Sequence, residues 1–200
     1  MREKKLHSKK NEAYLVEDNK SVYIKKVFSS ADALFAEEKM LKILDGESAP
    51  KLISADKNYL CIEFIEGLDF VDLLMLGDND TATFLGKTLA EFFKYFYKKT
   101  TLILTDENLH HYIFNKEKGL IRIDLEDYKN GTLDEWATKL CAFSILYDGI
   151  KVETVKVFLN AFLQSLNFSM SSLKEEIKKE AQIILIRRNR NDFDFSLYLD

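Results

Sequence analysis

Two aspartates eighteen positions apart, Asp106 and Asp124, lie in the stretch LILTDENLHHYIFNKEKGLIRIDLED, residues 102–127. The stretch reads as strand, polar loop, strand, turn and strand, so one acid falls early in the loop and the other at a strand end. Two carboxylates delivered by neighbouring strand ends suit a particular chemistry. One can orient a hydroxyl while the other holds a magnesium-bound phosphate. Phosphoryl transfer needs both, because positioning and charge neutralisation supply most of its catalysis. The plainer alternative is that both acids form turns.

The elements that must position these acids follow from patterning. Residues 13–16 and 22–28 are β-branched or aromatic-rich runs separated by EDNKS, which predicts a hairpin. Residues 31–44 read as a helix, with Ser29 and Ser30 as cap candidates and Asp45-Gly46 as the stop. Residues 51–54 and 59–64 predict a second hairpin across ADKN, closed by Glu66-Gly67. From Phe70 the pattern turns mostly helical. Leu85, Leu89, Phe92, Phe93 and Phe96 share one face, as do Trp136, Leu140, Phe143 and Tyr147, then Val155, Phe158, Phe162 and Leu166. A last helix over about residues 172–188 carries Leu173, Ile177, Ile184 and Leu185. The expectation is an α+β chain with a β-rich lobe over 1–66 and a helical lobe over 67–200.

Within the first helix, Leu34, Glu37, Leu41 and Leu44 recur at spacings of three, four and three, which sets Glu37 on the apolar stripe. A buried acid is costly unless paired, and a lysine on the adjacent strand is the natural partner. Strand alternation offers two. Lys26 shares a face with Val22, Ile24 and Phe28, whereas Lys25 shares one with Tyr23 and Val27.

Composition excludes several classes. With 46% hydrophobic and 12% aromatic residues among 200, the chain can bury a real core. A net charge of −4 argues against general nucleic-acid affinity, which needs a basic footprint. No run of eighteen apolar residues exists to span a membrane, and the charged N-terminus lacks a secretory apolar segment. Cys61 and Cys141 have no paired-cysteine spacing, and with three histidines neither a zinc site nor a disulfide framework is expected. A cytoplasmic location is the resulting expectation.

The order hairpin, helix, hairpin, connector and helical lobe with an acidic strand-loop-strand resembles the protein-kinase-like superfamily over roughly residues 10–165. It is most similar to small bacterial phosphotransferases of the aminoglycoside and choline type. The resemblance implies a two-lobed kinase-like fold using ATP and magnesium. It places Lys25 of VYIKKV as the phosphate-binding lysine, with Lys26 as the alternative, and Glu37 as the residue orienting it. In YLCIEFIEG, Glu63, Phe64 and Ile65 would lie against the nucleotide. Asp106 would handle the substrate hydroxyl, and Asp124 would carry magnesium with Glu126 as a second contact.

The departures from the family pattern bear on mechanism. Five positions after Asp106 the family has asparagine and this chain has His111, a metal-ligand candidate better suited to softer ions. The loop expected over the phosphates, SKKN at residues 8–11, has no glycine, which leaves Lys9 and Lys10 to replace backbone amides. About ten residues separate Asp124 from the next helix, too few for a peptide-binding activation segment, which favours a small-molecule acceptor. The implied reaction moves the γ-phosphoryl group to a hydroxyl of a metabolite, sugar or cell-envelope component. Tyr128, Trp136 and Tyr147 are candidates for lining the acceptor site. Arg187, Arg188 and Arg190 either grip an anion or complement a helix C-terminus. Two other functions stay open: a pseudokinase that senses nucleotide or binds protein, and a kinase-like subunit with a protein partner in an RNA-modification or translation complex.

Overall fold

Helical periodicity and strand alternation are both realised, in an α+β fold whose computed structural model describes residues 2–6, 10–18, 21–190 and 192–199. In chain order the elements begin with β1 (Arg2–Leu6), β2 (Glu12–Glu17), β3 (Val22–Val27), α1 (Ala31–Leu44), β4 (Leu52–Ala55) and β5 (Tyr59–Glu63). There follow β6 (Leu68–Asp69), α2 (Phe70–Leu76), α3 (Asn79–Thr100), β7 (Leu102–Leu104), β8 (Tyr112–Asn115), β9 (Gly119–Arg122) and β10 (Tyr128–Asn130). The last four are α4 (Leu133–Ser144), α5 (Val152–Ser165), α6 (Met170–Arg187) and α7 (Ser196–Leu199). Two compact units result. One comprises Met1–Leu68 with Tyr112–Asp127, the other Asp69–His111 with Tyr128–Asp200. The sequence pattern places a single boundary after residue 66, whereas the contacts separate the units at Leu68 and return residues 112–127 to the first.

The first unit is built on a five-stranded antiparallel sheet ordered β1-β2-β3-β5-β4. Strand β1 carries no apolar alternation, and its REKKL sequence leaves four exposed residues on the sheet edge, where charge discourages further pairing. Helix α1 starts where the Ser30 hydroxyl accepts the Ala33 N–H and stops at Asp45, whose φ of 46° lies in the left-handed region. Its buried face is Leu34, Glu37, Met40, Leu41 and Leu44, the stripe with the acid in it. The hairpin of β8 and β9 turns at Gly119, whose φ of 75° favours a residue without Cβ. Two hydrogen bonds tie the hairpin to the earlier segment: Arg122 N–H to the Ser48 carbonyl at 2.9 Å, and Asn115 Nδ2 to the Glu66 carbonyl at 2.7 Å.

The second unit is mainly helical, with β7 and β10 paired antiparallel. Helices α3 and α5 approach closely at Gly86, where a Cβ would meet the Phe158 carbonyl oxygen at 2.4 Å. The fully buried Trp136 stacks on Phe93 with ring centroids 3.7 Å apart, and Phe92 and Phe96 meet it edge-on. Of the C-terminal arginines, Arg187 sits in the last turn of α6, Arg188 lies over Phe143, and Arg190 pairs with Asp148 at 3.2 Å. Among the described residues no helix is long and apolar enough to cross a membrane.

Candidate functional site

Strand alternation on β3 turns Lys26 and Phe28 to the same side, and the Lys26 Nζ lies 5.1 Å from the Phe28 ring centre. That side faces the acid of α1. Lys26 Nζ is 2.5 Å from Glu37 Oε2, 2.8 Å from Asp124 Oδ1 and 3.5 Å from Glu126 Oε2. The lysine side chain is 12% exposed and that of Glu37 is 1% exposed, so the pair is effectively out of water. Lys25 points the other way, with its ammonium over the Tyr59 ring at 5.0 Å. The partner of Glu37 is therefore Lys26 and not Lys25, because residues 26 and 28 occupy the strand face that meets α1.

Asp124 reaches this lysine through an unusual backbone. Strand β9 ends at Arg122, and Asp124 adopts a φ of 67°, the left-handed region that non-glycine residues rarely enter. Such a conformation costs about 1–3 kcal/mol and persists where the surroundings enforce it. Leu125 is fully buried beyond it, and Glu126 is turned inward as well. Both Asp124 and Glu126 thus close on one ammonium.

Glu126 has further partners. Its Oε2 accepts from Asn11 Nδ2 at 2.5 Å, and its Oε1 lies 2.7 Å from Lys10 Nζ, which also reaches Asp127 Oδ2 at 2.9 Å. Asn11 is buried and Lys10 is largely exposed. Ser8 and Lys9, the other half of the glycine-free loop, lie outside the described residues.

Burial pushes the Glu37 carboxyl up, to about 7, against the opposing pull of Lys26. Burial also works to lower Lys26, but the carboxylates of Glu37 and Asp124 outweigh it, so the ammonium is raised above its ordinary range and stays charged. Hydrogen bonds to Asp127 and Glu126 raise Lys10 likewise. The site is therefore one buried cation among three carboxylates, with a second cation at its edge. One carboxylate oxygen from each of Glu37, Asp124 and Glu126 lies within 4.8 Å of the other two. An all-oxygen donor set of this kind matches a hard divalent cation such as magnesium rather than a soft metal.

Glu63 ends β5, and Phe64 and Ile65 follow it in the same unit. The Glu63 carboxylate accepts the Lys51 N–H at 3.2 Å and pairs with Lys118, Phe64 is exposed, and Ile65 is buried.

The remaining candidates belong to the second unit. Asp106 follows β7, and His111 Nδ1 is 4.0 Å from its Oδ2. The loop is anchored on both sides of its next residues. Glu107, fully buried, accepts the Trp136 Nε1–H at 2.5 Å. The Tyr147 hydroxyl donates to Asn108 Oδ1 at 2.5 Å and accepts the Leu109 N–H at 2.7 Å. Burial raises the Tyr147 phenol to about 12. Trp136 is fully buried, so it supports this loop from beneath instead of lining an acceptor site, and Tyr147 spends its hydroxyl on the same loop.

Asn11 and Glu107 escape a reading of the sequence. Nothing in SKKN marks Asn11 as buried. A lone tryptophan on a buried stripe, however, needs an acceptor for its N–H, and that requirement points to a polar group such as Glu107. Comparison with known proteins finds no matching protein family and no matching curated protein.

Proposed function

We propose that this chain is an ATP- and magnesium-dependent phosphotransferase of two-lobed, protein-kinase-like architecture, acting on a hydroxyl of a small molecule, a sugar or a cell-envelope component. The observation that carries the reading is the buried Lys26, paired with Glu37 and adjoined by Asp124 and Glu126. An ammonium held in this way is a fixed point charge for phosphate oxygens. Glu37 keeps it oriented, and the strained backbone at Asp124 has its rationale in presenting a carboxylate there. Asp124 and Glu126 would hold magnesium, which when bound neutralises charge on the phosphates. Asp106, with His111 beside it, would orient the acceptor hydroxyl, and Glu63, Phe64 and Ile65 would adjoin the base. In this assignment the phosphate lysine is Lys26.

A second reading, a pseudokinase that binds nucleotide without turnover, is favoured by His111 in place of asparagine and by the absence of glycine from residues 8–11.

Thermal stability measured with ATP, with and without magnesium, tests the proposal. Ligand binding to the folded state raises the midpoint by mass action. The wild type should show a magnesium-dependent rise that Asp124→Asn loses, while Asp106→Asn should keep the rise and lose turnover. No shift with ATP under either condition would reject nucleotide binding altogether. A shift with no turnover over a broad panel of hydroxyl acceptors would select the pseudokinase.

A further inference from the structure

A polyphosphate needs more than one cation or donor, and the turn between β1 and β2 has no glycine to let backbone N–H groups approach it closely. A side chain must supply what the backbone does not. Lys25 is turned away over Tyr59. Lys26 is buried and already meets three carboxylates. Lys10 differs from both. Its side chain is 58% exposed, yet its ammonium lies on the same Glu126 carboxylate as Lys26, at 2.7 Å from Oε1 where Lys26 is 3.5 Å from Oε2. The two cations therefore flank one anionic group, as two cations flank successive phosphates.

The position of Lys10 is built. Asn11, next in the chain, is buried and is held by its 2.5 Å hydrogen bond to Glu126. The Lys10 contact with Asp127 is exposed at both ends, 58% and 46%, and exposed ion pairs contribute little. Lys10 can exchange that partner for a phosphate oxygen while Asn11 keeps its bond to Glu126.

We propose that Lys10, two residues ahead of β2, is a second phosphate-binding cation that meets the outer phosphates of a nucleoside di- or triphosphate whose inner phosphate meets Lys26. This assignment rests on the nucleotide-binding reading above and narrows its ligand to nucleotides with at least two phosphates.

Calorimetric titration of the full chain with ATP, ADP and AMP in magnesium buffer tests it, using wild type, Lys10→Ala and Lys10→Arg. One charge-assisted hydrogen bond is worth enough that Lys10→Ala should weaken ATP and ADP by about tenfold or more. AMP should bind as it does to wild type, and Lys10→Arg should retain most of the ATP affinity. Unchanged ATP binding in Lys10→Ala would overturn the role of Lys10 and leave the nucleotide site standing. Equal losses for ATP and AMP would also overturn it, marking Lys10 as a support of the fold. A wild type that binds none of the three would remove the nucleotide reading itself, and this inference with it.

Discussion

Lys26 faces three carboxylates with a single positive charge, and the proton that Glu37 holds up to about pH 7 relieves part of the excess. Removing the ammonium should therefore cost far more than breaking a surface pair. Above pH 7, where Glu37 has given up that proton, Lys26→Met leaves it buried without its counter-charge, and losses of roughly 3–5 kcal/mol are expected. Combining Lys26→Met with Glu37→Leu should recover part of that loss in urea unfolding. A single-variant loss under about 1 kcal/mol, the range of exposed pairs, would mean that water reaches the pair. Glu37 was legible because the stripe Leu34, Glu37, Leu41 and Leu44 forces an acid inward. The choice between Lys25 and Lys26 was not, since alternation shows which residues share a face but not which face meets α1. Asn11 was still less legible, because its partner lies 115 positions away.

Among the elements, the loop between β7 and β8 depends most on tertiary support. Tyr147 bridges Asn108 and the Leu109 N–H, and its phenol is raised to about 12 from an unfolded value near 10 by burial. The folded state holds the proton more tightly, so the contribution is complete below pH 10 and is lost as pH rises through 12. Stability curves should show wild type falling toward Tyr147→Phe between pH 10 and 12. A constant gap across that range would place the phenol in water. At neutral pH the variant should be less stable by about 1–3 kcal/mol, the cost of stranding a buried donor. Element boundaries were legible where local signals agreed. Helix α1 spans the expected residues 31–44 because cap, stripe and stop coincide. Strand β1 carried no such signal: REKKL becomes a strand only by pairing with β2.

At the scale of the whole molecule, the first unit is not contiguous in sequence, since residues 112–127 join it after an intervening segment of the second. No periodicity reveals such a return, and a reading of local pattern draws one boundary where the chain crosses three times. The contact between Lys26 and Asp124 spans 98 positions, and contacts of that range are late and slow to form. A fragment ending at residue 100 should accordingly show faster hydrogen exchange in β3 and α1 than the full chain. Equal protection would mean that the first 68 residues fold unaided. The left-handed turn at Asp124 then has a meaning for the chain as it is made. On the ribosome, Lys26 and Glu37 emerge long before the acids that complete their setting. Copies broken off short of residue 124 lack that setting, so limited proteolysis should cut their first sheet sooner than that of the finished chain.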